Sequence, residues 1–274
     1  MTIGSGHKST EEIMEVRLDG KSAIVTGGSK GLGLAIAEEY FASGADVAIL
    51  ARDPGALAEA AQKIQGRGGK GKIAAISCDV SKAAAIEAAC KQVNSEFGKV
   101  DIFVNNAGQS TRGPSETLTD EQWQADLDLK LFAQIRFCRI LMPQMKQRKW
   151  GRIISVLNIG AKAPGADSAP TSVSRAAQMA LTKAMSMEGA PHNVLVNSLH
   201  VGVIVSDQIV RRHKREGANV SLEDFIAQAG RAVPMGRMGR AEEFANVATF
   251  LASDAASYVT GCAINVDGGR SPVV

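Results

Sequence analysis

The chain has 274 residues, 45% hydrophobic and 22% charged, and its 31 Lys and Arg against 28 Asp and Glu give a formal charge of +3. This is the composition of a globular chain, long for one domain but within reach of one open α/β core, and it excludes a disordered or low-complexity protein. The near balance of charge leaves no electrostatic footprint for nucleic acid, and without an apolar run of about eighteen residues no segment is expected to cross a membrane.

Residues 1–17 mix Gly, Ser, Thr, Glu and Lys without the apolar core of a secretory signal, and are expected to be a flexible extension before one domain over residues 18–274. From there short β-branched runs alternate with Ala-rich segments of helical period. Strands are expected at 22–26, 47–51, 73–77, 102–104, 153–156, 194–199 and 263–266, with helices at 32–42, 56–64, 83–97, 120–147 and 241–252. Such alternation requires right-handed crossovers, and so a single-domain, Rossmann-type α/β fold: a doubly wound parallel sheet with helices on both faces. The stretch 206–230, with Arg211, Arg212, His213, Lys214, Arg215 and then Glu216-Gly217, breaks the rhythm. It is expected to be a mobile lid or a solvated charged helix. Cys78, Cys90, Cys138 and Cys262 lie too far apart for a metal cluster, so no metal site is expected and they read as reduced, buried thiols of a cytoplasmic protein.

The first strand runs into Thr26-Gly27-Gly28-Ser29-Lys30-Gly31-Leu32-Gly33, which opens a helix. A glycine-rich turn in that position lets backbone amides approach a diphosphate at the positive end of the helix. The order Thr26-Gly27-x-x-x-Gly31-x-Gly33, Cys78-Asp79-Val80, Asn105-Asn106-Ala107-Gly108, Thr260-Gly261 and Asp267-Gly268-Gly269 resembles the short-chain dehydrogenase/reductase family from about residue 18 to the last strand. The resemblance implies a nicotinamide cofactor held by Gly27, Ser29, Lys30, Gly31, Leu32, Gly33, Arg52, Asp79, Val80, Asn106, Ala107, Gly108, Gly202 and Ser206. Asp79 stands where the family contacts adenine, and Ser206 where it commonly places a Thr against the carboxamide. At the end of the second strand Ala51-Arg52 replaces the acid that NAD enzymes offer the ribose, so Arg52 and Lys30 are expected to pair with a 2′-phosphate. NADP(H) is expected over NAD(H); the alternative is that Arg52 is a plain surface cation.

The family's relay of Asn, Ser and Tyr-x-x-x-Lys falls here on Lys130, Asn158, Thr171 and Arg175, so all four members differ. The two tyrosines, Tyr40 and Tyr258, lie elsewhere in the chain, which removes any phenol-based mechanism. An arginine stays charged, whereas a lysine buried beside a second cation can lose its proton near neutral pH. Lys130 is therefore expected to protonate a developing alkoxide, directly or through water, with Asn158 and Arg175 stabilising the oxygen and Thr171 a small polar wall. The alternative places Lys130 on the helix surface, paired with Asp126 or Asp128. His200 beside Gly202 is a reserve proton carrier or a packed loop residue.

The resemblance thus points to an NADP(H)-dependent oxidoreductase of a carbonyl or secondary alcohol, similar to 3-oxoacyl-(acyl carrier protein) reductases, with an acyl thioester among its candidate substrates. The rivals are a catalytically inactive NADP-binding sensor or oligomer partner, and a non-redox lyase or isomerase. A homotetramer or homodimer is expected through helices at 129–145 and 176–187, where Ala176, Ala177, Ala180 and Ala184 form a small-residue stripe. That stripe could equally pack on the sheet.

Overall fold

The structure is a computed structural model and describes residues 14–216 and 219–274; most of the expected N-terminal extension, residues 1–13, lies outside these. In chain order come β1 (Ser22–Thr26), α1 (Gly31–Ala42), β2 (Asp46–Ala51), α2 (Pro54–Gln65), β3 (Ile73–Ser77), α3 (Ala83–Phe97) and β4 (Ile102–Asn105). There follow β5 (Arg112–Gly113), α4 (Asp120–Leu127), α5 (Ala133–Arg148), β6 (Gly151–Asn158), β7 (Ala169–Pro170) and α6 (Thr171–Gly189). The chain continues through β8 (Val194–Val201), α7 (Asp207–Glu216), α8 (Leu222–Gly230), α9 (Ala241–Ala252) and β9 (Ala263–Val266).

Among the described residues seven strands form one parallel sheet in the order β3-β2-β1-β4-β6-β8-β9, and β5 pairs with β7 as a separate antiparallel ribbon. Alternation along the strands assigns residues to two cores. Ala23, Val25, Val47, Ile49 and Val104 pack with Ile36, Tyr40 and Phe41 of α1 and with Phe244 and Leu251 of α9. Ile24, Ala48, Leu50 and Phe103 meet Ile86 and Val93 of α3 and Phe137, Leu141 and Met145 of α5. A strand buried on both faces is apolar except where a polar side chain finds a hydrogen-bond partner, which is why β1 and β2 read as the apolar runs 23–25 and 47–51 while the buried Ser22 and Thr26 hydroxyls bond to backbone carbonyls. Each large side chain withdrawn from water contributes roughly 1.5–3 kcal/mol.

Helix ends follow local chemistry. Asp53 caps α2 through the Gly55 and Ala56 amides, with Pro54 at the first helical position, and Thr119 forms a capping box with Gln122 before α4. The helix expected over 120–147 is not continuous: α4 passes through a π-helical turn at Asp128–Phe132 before α5 begins. Apolar periodicity does not register such an insertion, because a widened turn is held by tertiary contacts. Strands β6 and β8 run beyond their expected ends, pairing from Gly151↔Val194 to Asn158↔Val201.

The segment 206–230 holds two helices, α7 and α8, joined where the ring of His213 meets Phe225 edge-on at 5.4 Å. The Gly217 of the expected lid lies outside the described residues. Cys78, Cys90 and Cys138 are buried, whereas Cys262 is only half-buried, and all four are free. No helix among the described residues is long and apolar enough to cross a membrane.

Candidate active site

Strand order reverses at β1, whose neighbours are β2 and β4, and the loops leaving β1 and β4 meet there at the carboxyl edge of the sheet. They are locked together. Thr26 Oγ1 donates to the Val104 carbonyl at 3.2 Å and accepts the amides of Asn106 and Ala107, each at 3.0 Å. The Asn106 side-chain amide donates to the carbonyls of Thr26 at 2.9 Å and Gly27 at 3.3 Å. Glycine is obligatory at 33 for the loop itself, since a Cβ there would lie 2.3 Å from the Gly27 oxygen and 2.4 Å from Asn106 Nδ2.

Gly31 is different: its φ is +57° and the space beside it is open. Lys30, the residue before α1, makes no side-chain cap, so the first-turn amides of a twelve-residue helix face outward without a side-chain acceptor. An open cradle at the positive end of a helix fits a diphosphate. Arg52, just past β2, is exposed, and Asp79 accepts the Ser81 amide at 3.0 Å and hydroxyl at 2.8 Å, with Val80 buried behind it. Gly202 packs against Asp267, where a Cβ would come within 2.6 Å. Ser206 precedes α7 and accepts the Ile209 amide through its carbonyl at 2.9 Å.

The four relay positions divide into two groups. Lys130 is 1% exposed, so the alternative of a surface lysine is set aside, yet its pairing with Asp126 is real: both groups are buried and in direct contact. The ammonium also donates to Thr171 Oγ1 at 2.9 Å. Asp126 turns its other oxygen to the Ser174 hydroxyl at 2.6 Å, and Thr171 Oγ1 receives the Thr111 amide at 3.0 Å. Residues 126 and 130 share a helical face, and the Lys130 carbonyl, in the π turn, accepts the Asn105 side-chain amide at 3.3 Å and that of Gln178 at 3.1 Å. Burial pulls the Lys130 ammonium down to about 8; the bond to Asp126 opposes this and the Arg175 charge reinforces it.

Arg175 and Asn158 form the second group. Arg175 donates to the Val156 carbonyl at 2.7 Å and keeps Nε without a partner, its acidity raised by burial to a pKa of about 10. It converges with Lys130 on Gly108, where an added Cβ would lie 3.3 Å from Arg175 Nη2 and 3.7 Å from Lys130 Cε. Asn158 Oδ1 is likewise unpartnered. His200 is fully buried between Ser198 Oγ and the Asn158 carbonyl, each at 3.1 Å, and burial lowers its pKa to about 4. That leaves it neutral near pH 7, as the packed-residue alternative has it.

Beside these groups lies a cleft of about 300 Å³ walled by Thr171, Ser172, Asn158, Gly202, Arg112 and Arg270 among others. Lys130 is not in its wall; Thr171 stands between the lysine and the cleft. The hydroxyl oxygen of Thr171 accepts two N–H donors, which uses both lone pairs and turns its own hydrogen away from them. Ser172, Ser174 and Thr111 carry no signal in the sequence, and Asp126 reads there only as a surface partner. The i, i+4 spacing of Asp126 and Lys130 was the one available signal, since the others arrive through tertiary packing.

A family profile described as enoyl-(acyl carrier protein) reductase matches residues 27–271. The chain is 33% identical over 254 residues to 3-oxoacyl-(acyl-carrier-protein) reductase FabG of Escherichia coli, covering 93% of this chain and 98% of that protein. The crystal structure of L-sorbose reductase from Gluconobacter frateurii, complexed with NADPH and L-sorbose, superposes with a TM-score of 0.89 at 32% identity, covering 95% and 100% of the two chains. A short chain oxidoreductase from Pseudomonas aeruginosa, solved without ligand and containing an atypical catalytic center, matches at 35% identity and a TM-score of 0.88, covering 94% and 100%.

Proposed function

The chain belongs to the short-chain dehydrogenase/reductase family, and on that premise we propose that it is an NADP(H)-dependent oxidoreductase of a carbonyl or secondary alcohol whose proton passes through Thr171 from Lys130. The observation that carries the reading is a buried lysine bonded to the hydroxyl of a threonine that lines the cleft.

The amides of Gly31, Leu32 and Gly33, with Ser29 and Lys30, would hold the diphosphate, Asn106, Ala107 and Gly108 the adjoining edge, and Arg52 the 2′-phosphate. Asp79 and Val80 would border the adenine, while Gly202, Ser206 and the unpartnered Nε of Arg175 serve the nicotinamide half. The absence of an acid at Ala51 and the likeness to a reductase solved with NADPH support NADP(H) over NAD(H). When bound, the nicotinamide supplies or accepts a hydride at the carbonyl carbon.

The chain's own residues handle the proton. A substrate oxygen in the cleft takes the hydrogen of the Thr171 hydroxyl, and the threonine oxygen is refilled in the same motion from the Lys130 ammonium. Threonine need not ionise, so its high intrinsic pKa does not forbid the step; the acid is the lysine, tuned by burial to the working range. Asp126 keeps Lys130 aimed at Thr171, and the Asn158 amide and Arg175 charge favour the developing negative oxygen. An oligomer built on α5 and α6 accompanies this reading: of the small-residue stripe on α6, Ala180 and Ala184 are exposed, as are Val173 and Met187, while Ala176 and Ala177 are half-buried.

The test is the purified protein with NADPH against ketones and 3-oxoacyl thioesters, following absorbance at 340 nm and product mass together. Oxidation of NADPH matched by alcohol product is expected, and Lys130→Met should abolish it while calorimetry still registers NADPH. Cofactor binding without turnover of any substrate would favour a sensor, and product without NADPH oxidation a lyase or isomerase.

A further inference from the structure

The cleft wall that holds Thr171 also carries two guanidinium groups, Arg112 and Arg270, and no carboxylate. Their placement is built rather than incidental. Arg112 lies in the two-residue strand β5, directly opposite Pro170 of β7, and the Thr111 amide immediately before it donates to Thr171 Oγ1 at 3.0 Å. The ribbon therefore ties the backbone beside Arg112 to the Thr171 hydroxyl, and both residues line the cleft.

Arg270 comes from the other side, after β9. Its Nη1 donates to the Ala232 carbonyl at 3.3 Å. The neighbouring acid, Asp267, turns its oxygens to the amides of Gly269 at 2.9 Å and Ser271 at 2.6 Å instead of to Arg270. Among the described residues neither Arg112 nor Arg270 pairs with a carboxylate. A second hollow continues from the first, sharing Val203 and Arg270 and adding Arg212, whose guanidinium stands over Phe225 at 5.8 Å. Behind the wall, Asp126 is the carboxylate that acts on both Lys130 and Arg175 among the described residues.

A concave surface lined by cations concentrates field and draws anions, and the planar fork of arginine matches a carboxylate or phosphate with two parallel hydrogen bonds. Extending the carbonyl-reductase reading, on which this rests, we propose that the substrate is an oxo acid: a carbonyl compound bearing a carboxylate or phosphate group. Its anion sits between Arg112 and Arg270 while its carbonyl oxygen meets Thr171.

The experiment uses the full chain saturated with NADPH and a ladder of oxo carboxylates with the ketone two to five bonds from the carboxylate, their methyl esters, and matching oxo phosphonates. Binding is read by ligand-observed NMR and turnover at 340 nm. The acids should bind and turn over in preference to their esters, and that preference should fall about tenfold or more in Arg112→Gln and again in Arg270→Gln, with the NADPH Kd unchanged. A phosphonate outrunning the carboxylate would identify a phosphate ester as the natural anion. Equal treatment of acids and esters, a preference that survives the double variant, or no binding of any acid overturns the anion site. Acids that bind through both arginines without being reduced keep the anion site and overturn the oxidoreductase reading instead.

Discussion

Replacing Thr171 with valine separates the proposed proton path from the fold around it, because the two side chains have nearly the same shape. The substitution removes the acceptor for two donors, the Lys130 ammonium at 2.9 Å and the Thr111 amide at 3.0 Å. A hydrogen bond from a charged group contributes about 1.5–3 kcal/mol and a neutral one about 1 kcal/mol. The expected loss of stability is thus ~2.5–4 kcal/mol, which lowers Tm by roughly 4 to 7 °C for a chain of this size. Below that temperature the variant should fold and bind NADPH with the parent's affinity, since the glycine turn is untouched. Its kcat should fall by about 100-fold or more, the usual contribution of a positioned general acid. Thr171→Ser, which keeps the hydroxyl, should recover most of the rate. Thermal denaturation, calorimetry with NADPH and steady-state reduction of one active ketone supply the readouts. A folded Thr171→Val protein turning over within about threefold of the parent would refute the relay.

The remaining expectations follow from the same structure. In the reducing direction kcat should decline as pH rises through the Lys130 value of about 8, and in the oxidising direction it should rise across the same range; stopped assays in both directions measure this, and a flat profile removes the lysine. Arg52→Asp should weaken NADPH binding by about 10-fold or more through loss of the charge-assisted bond and added repulsion, read by calorimetry, with NADH affected far less. His200 protonates near pH 4 when folded but near 6.5 when unfolded, so its contribution is complete above pH 6.5 and is lost as pH falls through about 4. Urea midpoints across that window should show up to roughly 3 kcal/mol of acid sensitivity that His200→Gln reduces. Gly33→Ala should cost about 1–3 kcal/mol in urea denaturation by pressing a methyl group onto the Gly27 carbonyl and Asn106.

The sequence by itself determined the sheet and its switch point. Short apolar, β-branched runs place β1, β3 and β9 at 22–26, 73–77 and 263–266, as observed: β1 is buried on both faces, β3 alternates between buried and exposed, and β9 is half-buried throughout. The glycine turn was equally legible, since its conformation is written into residue type at Gly27 and Gly31. The neighbourhood of Lys130 was legible only as positions. That Lys130 is buried, meets Asp126, and touches the cleft only through Thr171 depends on a π turn, on α6 crossing it, and on the small ribbon that brings Thr111 and Arg112 alongside. Those contacts join residues 41 to 60 positions apart, and their energies come from desolvation and hydrogen bonding that exist only after packing. Local periodicity reports which face of a helix is apolar; whether a charged group on it ends in water or against a buried partner is decided by the elements that pack over it.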